Sequence, residues 1–596
     1  MKNGPALRFN PYFIFLIILI LIVTISNFIW LRINKAAPIG NGLQDLLPGI
    51  NFYCDFKNIH LAHSDILNIL FTPSLMTTIL IQFFRYIRAT FSIYPPLAPI
   101  SYSLFYILFG PTSGIELIAN SIYLALALYA IYGIAKEFFN EKVGLLAAFI
   151  FSSFPGVIGI SREIYAEFIM MCLVALTLYL LLKTDLFRNI RYSLLLGVSL
   201  GLTALAKWEF PPALIGPFFL VLWKSNIVIR EAKDKKTLRE IIFDNFILTM
   251  ITGFLIAFVW YFLSAKNIIW RLFFREDENI FINNMTTWNT GLFSVPTLSY
   301  YPLTVINVHI RFFYFLLLII LGTIFMHKAI KNKNWLLISN RLFYLVFLIS
   351  WIIIPYICFT FIKIQAPSHI MLILPALAII ISAGIFSFIK RKTRIILICL
   401  VILYGLSCHL HSFLFIKEIE PFYNFKIYLR NDGRLALTTD WGVYMRDNWE
   451  MRRFYPPDKR DWKIREMLSF IKNDSLNKTN KALVLVLSTR DFIDSFEFQY
   501  YNLLDNYKLY IEPRGNDRSE SSADPSKFDY VIIIDDEGKE LNQLTLKKLV
   551  EKTPNLQPKA HKSHEFLINF SQKYKFIKEY LLPDNLVARI YKFTIS

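Results

Sequence analysis

Residues 143–182 read VGLLAAFIFSSFPGVIGI, then SREIYAE, then FIMMCLVALTLYLLL. Two apolar runs, 143–160 and 168–182, flank a short polar turn that holds Ser161, Arg162, Glu163 and Glu167. Apolar runs approaching or exceeding roughly 18 residues cross hydrocarbon as helices. The stretch therefore reads as a membrane hairpin that delivers charged side chains to one face.

The same alternation repeats outward. Lys2 and Arg8 precede the run 11–30, which lacks the short apolar core and small-residue cleavage site of a signal peptide and reads as a retained first helix. Further spans are expected at 113–135, 192–206, 211–223, about 245–265, 311–327, 341–362, 370–389 and 395–411, about eleven in all. The basic connections KEFFNEK (136–142), KTDLFRNIR (183–191), 224–240, HKAIKNKN (327–334) and KRKTR (390–394) then share one side. Clustered Lys and Arg mark the cytoplasmic side. With the N-terminus inside, Asp65, Arg162, Glu167, Lys207, Lys363 and His369 emerge on the outer face, as does the tail.

Composition agrees. The chain has 596 residues, 55% hydrophobic and only 18% charged, with a mean hydropathy of +0.45, too apolar for a soluble protein of this length. The formal net charge of +19 sits in short loops between spans, which is an orientation signal and not a nucleic-acid surface. Five cysteines, Cys54, Cys172, Cys358, Cys399 and Cys408, form neither a disulfide framework nor a metal cluster and read as small apolar fillers.

Between the first two spans lies a large outer loop, about 31–112, whose centre is LAHSDILNILFTPSLMTTILIQFFRYIRATFSIYPPL (61–97). It carries a lone carboxylate, Asp65, two arginines, Arg85 and Arg88, and the tripeptide Tyr94-Pro95-Pro96. An amphipathic helix is expected from about Ser74 to Arg88. The tail, 412–596, changes character: charge rises and long apolar runs stop. KALVLVLS (481–488) and FDYVIIIDD (528–536) read as buried strands. DWKIREMLSFI (461–471) and DSFEFQYYNLL (494–504) have helical apolar spacing, and 574–593 reads as a hairpin turning at Pro583-Asp584-Asn585. The expected architecture is a polytopic α-helical membrane domain, 1–411, followed by an exoplasmic α/β domain, 412–596.

Ionisable groups near membrane depth are costly and mark functional sites. The plain alternatives here are a solvated loop carboxylate for Asp65, a helix-start carboxylate for Glu163 and Glu167, and interface anchors for Arg162 and Lys207. The combination says more than any member. Carboxylates with Arg and Lys on one face suit a reaction on an anionic lipid: one carboxylate takes the proton of an acceptor hydroxyl, and the cations hold the lipid phosphate as it leaves.

Four blocks in order, SDILNIL (64–70), YPPLAPISYSLFYILFG (94–110), VGLLAAFIFSSFPGVIGISREIYAEF (143–168) and SLLLGVSLGLTALAKWEF (193–210), resemble the GT-C superfamily of integral-membrane glycosyltransferases, in its protein O-mannosyltransferase and aminoarabinose transferase branch. The resemblance covers about residues 10–390. It implies transfer of a sugar from a polyprenyl phosphate to an acceptor hydroxyl or phosphate on the exoplasmic face, usually with inversion. It implies an acidic motif in the first outer loop, where Ser64-Asp65-Ile66 stands with Ile66 in place of a second acid. Asp65 is thus left as the base, with Asp55 the competing assignment, and a divalent metal at Asp65 is left open with no other cofactor implied. The second acidic position falls on Glu167, which would orient acceptor or sugar. Arg162, Lys207, Arg85, Arg88, Lys363 and His369 are the donor-phosphate candidates, and Tyr94, Pro95 and Pro96 form a substrate-loop element. The expected partners are a polyprenyl-phosphate sugar and a lipid, polysaccharide or protein acceptor in the cell (inner) membrane and envelope.

Two other classes compete. A transporter or flippase for lipid-linked sugars would show inverted repeats and midplane charges, whereas no internal repeat is seen and the charges sit at span ends. A catalytically inactive GT-C-like scaffold is favoured only by Ile66.

Overall fold

The computed structural model describes residues 10–35, 46, 49–50, 53, 95–110, 114–273, 295–331, 341–361, 366–414, 426–429, 435–438, 452–476, 481–488, 495–512, 528–536, 570 and 573–594. Asp55, Asp65, Arg85, Arg88, Tyr94, Lys363 and the expected helix 74–88 lie outside the described residues. The chain divides into two compact units. One comprises Met1–Leu31, His63–Ser101 and Leu117–Pro456, and the other Arg32–Ala62, Tyr102–Glu116 and Pro457–Ser596.

The first unit is helical. In chain order the helices are α1 (Pro11–Ile33), α2 (Leu97–Phe109, shared between the units), α3 (Ile118–Phe138), α4 (Glu141–Ser153), α5 (Pro155–Ile160), α6 (Ala166–Lys183), α7 (Ile190–Ala206), α8 (Pro211–Glu231), α9 (Lys235–Phe273), α10 (Val295–Thr304), α11 (Arg311–Lys331), α12 (Arg341–Thr360), α13 (Leu374–Phe388) and α14 (Arg391–His411). Among the described residues, nine helical segments are long and apolar enough to cross a membrane. These correspond to nine of the eleven expected spans. The other two differ for stated physical reasons.

The expected span 143–160 is broken. Pro155 has no N–H to donate and drives the residue before it out of the helical region. Phe154 is accordingly extended, at φ −62° and ψ 125°, and α5 starts afresh at Pro155. Span 192–206 exists as α7 but has only 17 residues. Its start is set by Asn189, whose side chain accepts from the N–H groups of Arg191 and Tyr192, and Asn140 caps α4 in the same way.

Among the described residues, two connections between expected spans are helical. The basic segment 224–240 continues α8 to Glu231 and opens α9 at Lys235, so its charges sit on helix ends. Between the expected spans 245–265 and 311–327, the chain is helical from Val295, passing through a buried π-helical segment, Val305–Ile310, into α11. A 3₁₀ turn, His369–Ile373, leads into α13. A two-stranded antiparallel ribbon, β1 (Lys426–Leu429) and β2 (Leu435–Thr438), and a 3₁₀ turn at Arg452–Phe454 complete the unit.

The second unit contains a five-stranded mixed sheet. Its strands are β3 (Leu483–Ser488), β4 (Tyr510–Ile511), β5 (Tyr530–Asp536), β6 (Tyr574–Leu582) and β7 (Leu586–Phe593), in the order β4-β3-β5-β7-β6. β3 runs parallel to β4 and β5, while β7 is antiparallel to β5 and β6. Helices α15 (Ile464–Asp474) and α16 (Ser495–Leu504) accompany it. Leu485, Leu487, Phe528, Val531, Ile533, Phe570 and Tyr574 form its buried core. The β6–β7 turn falls at Pro583–Asn585, where Asp584 and Asn585 adopt positive φ, a conformation these residues tolerate. Across this sheet the buried Asp535 carboxylate receives Arg589 at 2.8 Å, and the same guanidinium reaches Glu579 at 3.0 Å.

Candidate active site

Helix α6 begins after Tyr165, which is extended at φ −141° and ψ 121°, and places Glu167 in its first turn. There a carboxylate complements the partial positive charge of the helix N-terminus. Helix α7 ends at Ala206. Lys207 is extended, with its N–H donating to the Thr203 carbonyl at 3.3 Å. Pro211 and Pro212 start α8, since proline suits the first turn where an N–H has no helical acceptor. The turn 207–210 is thereby held between two helices, and its charged residues face the start of α6.

The geometry is specific. Lys207 Nζ stands 2.5 Å from Glu167 Oε1 and 3.1 Å from Glu209 Oε2. The Lys207 side chain is 7% exposed and that of Glu167 10%, so the pair is largely withdrawn from water. Ser368 Oγ donates to Glu167 Oε1 at 3.2 Å. His369 Nε2 lies 3.9 Å from Glu209 Oε1, and its Nδ1 is 3.4 Å from the Tyr301 hydroxyl. The cluster is one ammonium shared by two carboxylates, with an imidazole beside the more exposed of them.

Ser368 and His369 are held from behind. His309, buried on the π-helical segment, bonds through Nε2 to the Pro367 carbonyl at 2.9 Å, which requires that nitrogen to carry the proton. Helix α5 fits closely against this imidazole. A Cβ built on Gly156 would lie 2.6 Å from His309 Nδ1 and 2.8 Å from its Cα, so the approach needs glycine.

Arg162 does not join the cluster, contrary to the expectation that it contacts donor phosphate beside Lys207. It is completely buried, donating through Nε to Asn27 Oδ1 at 2.9 Å and through Nη1 to the Arg453 carbonyl at 3.4 Å. Its guanidinium carbon is 5.1 Å from the Trp30 ring centre and 5.4 Å from that of Phe413. Burial, with Arg453 nearby, pushes its pKa down to about 9, which still leaves it charged at neutral pH. These partners come from α1 and from the segments after α14.

The structure therefore brings together three of the sequence-derived residues: Glu167, Lys207 and His369. Pro95 and Pro96 are buried and lead into α2, where Ile100 N–H donates to the Pro96 carbonyl at 3.0 Å. Glu209, Ser368 and Tyr301 were missed. Glu209 had a signal, since it stands two residues after Lys207 in the same turn between expected spans and just ahead of Pro211-Pro212. Ser368 and Tyr301 had none, because common uncharged residues are distinguished only by what they touch. Among the described residues, no group of three or more His, Cys, Asp or Glu side chains is arranged to hold a metal ion.

The model of the dolichyl-phosphate-mannose-protein mannosyltransferase family matches residues 94–261, a stretch that includes Glu167, Lys207 and Glu209. No curated protein sequence matches the chain. Among solved structures, apo ArnT from Cupriavidus metallidurans aligns with a TM-score of 0.51 at 10% identity, covering 97% of this chain and 98% of that one. The same protein bound to undecaprenyl phosphate aligns with a TM-score of 0.52 at 10% identity, covering 96% and 97%. The chain thus shares the fold of ArnT along nearly its whole length, and residues 94–261 match the model of the dolichyl-phosphate-mannose-protein mannosyltransferase family.

Proposed function

We propose that this protein transfers a sugar from a polyprenyl-phosphate donor to an acceptor hydroxyl or phosphate on the exoplasmic face of the cell's inner membrane, with its N-terminus in the cytoplasm and its C-terminal α/β domain outside. The observation that carries the reading is the Glu167–Lys207–Glu209–His369 cluster, built from helix ends within a GT-C fold. The fold likeness to a protein solved with undecaprenyl phosphate supports a polyprenyl-phosphate donor.

With a hydroxyl acceptor, its oxygen attacks the anomeric carbon, the bond from that carbon to the phosphate oxygen breaks, and polyprenyl phosphate departs. The hydroxyl proton passes to a carboxylate. Glu167 Oε1 already accepts from both Lys207 Nζ and Ser368 Oγ, so this carboxylate is fixed in place and serves to orient sugar or acceptor. Asp65 remains the proposed base, with Asp55 the alternative. His369 and Glu209, the more accessible members, are placed to meet substrate.

The cluster has two carboxylates for one ammonium, so it is not an anion site by itself. Lys207 accordingly fixes the carboxylates, and Arg85, Arg88, Lys363 and His369 are the proposed phosphate contacts. A divalent metal, if held at Asp65, would supply further positive charge to the leaving phosphate.

The test is transfer or hydrolysis in membranes given a panel of radiolabelled polyprenyl-phosphate sugars, with wild type beside Asp65→Asn and Glu167→Gln. Turnover lost in both variants at unchanged protein level is expected. Wild-type membranes inert toward every donor, yet moving a labelled lipid-linked sugar between leaflets, would establish a flippase instead.

A further inference from the structure

The turn Ser161–Tyr165, which feeds directly into Glu167, is held by residues from distant parts of the first unit. Asn27 Nδ2 donates to Ser161 Oγ at 3.0 Å, and Asn120 Nδ2 donates to the Glu163 carbonyl at 2.6 Å. A further hold comes from Arg453, on the 3₁₀ turn after α14. Its Nε is 2.6 Å from Glu163 Oε2, with both side chains almost fully buried, and its Nη1 donates to the Arg162 carbonyl. Arg162 answers by donating to the Arg453 carbonyl at 3.4 Å, so each arginine bonds the other's main chain across 291 positions.

The segment that carries Arg453 is itself tied down. Trp30 Nε1 is shared between the carbonyls of Ser412, at 2.9 Å, and Tyr455, at 3.1 Å. The Arg453 guanidinium carbon lies 5.9 Å from the Trp30 ring centre, and Phe454 is buried with Ile158 of α5, Val308 and Cys408. Asn27 and Trp30 are three residues apart on α1 and therefore share a face, so one helix face supports both arginines.

From this we infer that Arg453 is a positioning residue for the transfer reaction: it clamps the Ser161–Tyr165 turn through Glu163 and the Arg162 carbonyl, and so sets where Glu167 meets Lys207. The inference rests on the reading of Glu167 as part of the site. A buried guanidinium beside a second one needs its carboxylate partner, and a fork that bonds both a carboxylate and a carbonyl restrains orientation as well as distance. Displacing a reacting group by about 1 Å lowers turnover by about 10²-fold.

The experiment uses the full chain in detergent or nanodiscs and two readouts. Hydrogen–deuterium exchange is followed across residues 161–168, and steady-state transfer is measured with the donor the panel identifies. Arg453→Met is expected to speed exchange in 161–168 and to lower kcat by about 10- to 100-fold, with donor KM within about twofold. Arg453→Lys keeps one charged contact with Glu163 but loses the fork, and should fall between the two. That variant also decides the matter if Arg453→Met does not fold. Unaltered exchange in Arg453→Lys with turnover lost, or a raised donor KM at unchanged kcat, would overturn the inference and place Arg453 on the substrate. Faster exchange in a protein whose wild type transfers no sugar would uphold the clamp while sinking the transferase reading.

Discussion

Lys207 reaches 40 residues back along the chain to place its ammonium 2.5 Å from the Glu167 carboxylate, and the same nitrogen is 3.1 Å from Glu209. The two ends of adjacent membrane helices are thus joined by one buried ion pair, and the site depends on it.

Breaking that pair leaves buried carboxylates without their cation. Lys207→Met should destabilise the protein by about 3–5 kcal/mol, the range for removing one member of a buried pair. Lys207→Met combined with Glu167→Gln should recover much of the thermal stability in detergent but none of the transfer activity. Recovery of both would mean that the pair is structural only.

Ser368 donates a charge-assisted bond to Glu167, a class worth about 1.5–3 kcal/mol. Ser368→Ala should therefore lower kcat by about tenfold while leaving the protein folded. A thermal-shift assay beside initial rates checks this, and an unchanged rate would remove Ser368 from the site.

The close approach of Gly156 to His309 gives a prediction away from the charges. Gly156→Ala puts a methyl 2.6 Å from His309 Nδ1, so the imidazole must shift and with it the Pro367 carbonyl that it holds. Overpacking of this kind costs about 1–3 kcal/mol. Pairing Gly156→Ala with His309→Ala should restore only part of the stability, since the 2.8 Å contact with the Cα of residue 309 remains, and should restore no activity, because the Pro367 carbonyl has then lost its donor.

In the C-terminal sheet, Arg589 compensates Asp535, which is 1% exposed. Arg589→Met should destabilise this unit by about 3–5 kcal/mol, and Arg589→Met with Asp535→Asn by much less. Exchange protection of β5 is the measurement, since that strand is hydrogen-bonded on both sides.

The same unit should weaken in acid through Asp474. Partial burial pushes this carboxyl up, but Lys592 at 2.8 Å and the Tyr530 hydroxyl at 2.6 Å outweigh it and hold the folded value below the ordinary 3.8. A depressed folded pKa contributes stability that is fully present above the unfolded value and is lost as pH falls through the folded one. Exchange protection of the β5 and β7 strands should thus decline below about pH 4, and Asp474→Asn should flatten that decline. A decline of equal size in the variant would assign it to another group.

The elements of this chain were legible because their signals are local. Apolar runs marked nine helical segments, short apolar runs rich in Val and Ile or Leu marked β3 and β5, and Pro583-Asp584-Asn585 marked the β6–β7 turn, since each depends on a few consecutive residues meeting lipid, core or solvent. Glu167, Lys207 and His369 stood out for a related reason: charge at the end of an apolar helix is costly and therefore conspicuous. Which charges meet is a different matter. Arg162 had the same sequence credentials as Lys207, yet helix packing turned it toward Asn27 and Arg453. Ser368 and Arg453 became visible only through contacts spanning 201 and 291 positions. A residue's own neighbourhood decides whether it lies in a helix, but the partner of its side chain is decided by where other helices end. That is a property of the packed bundle and of no single stretch of chain.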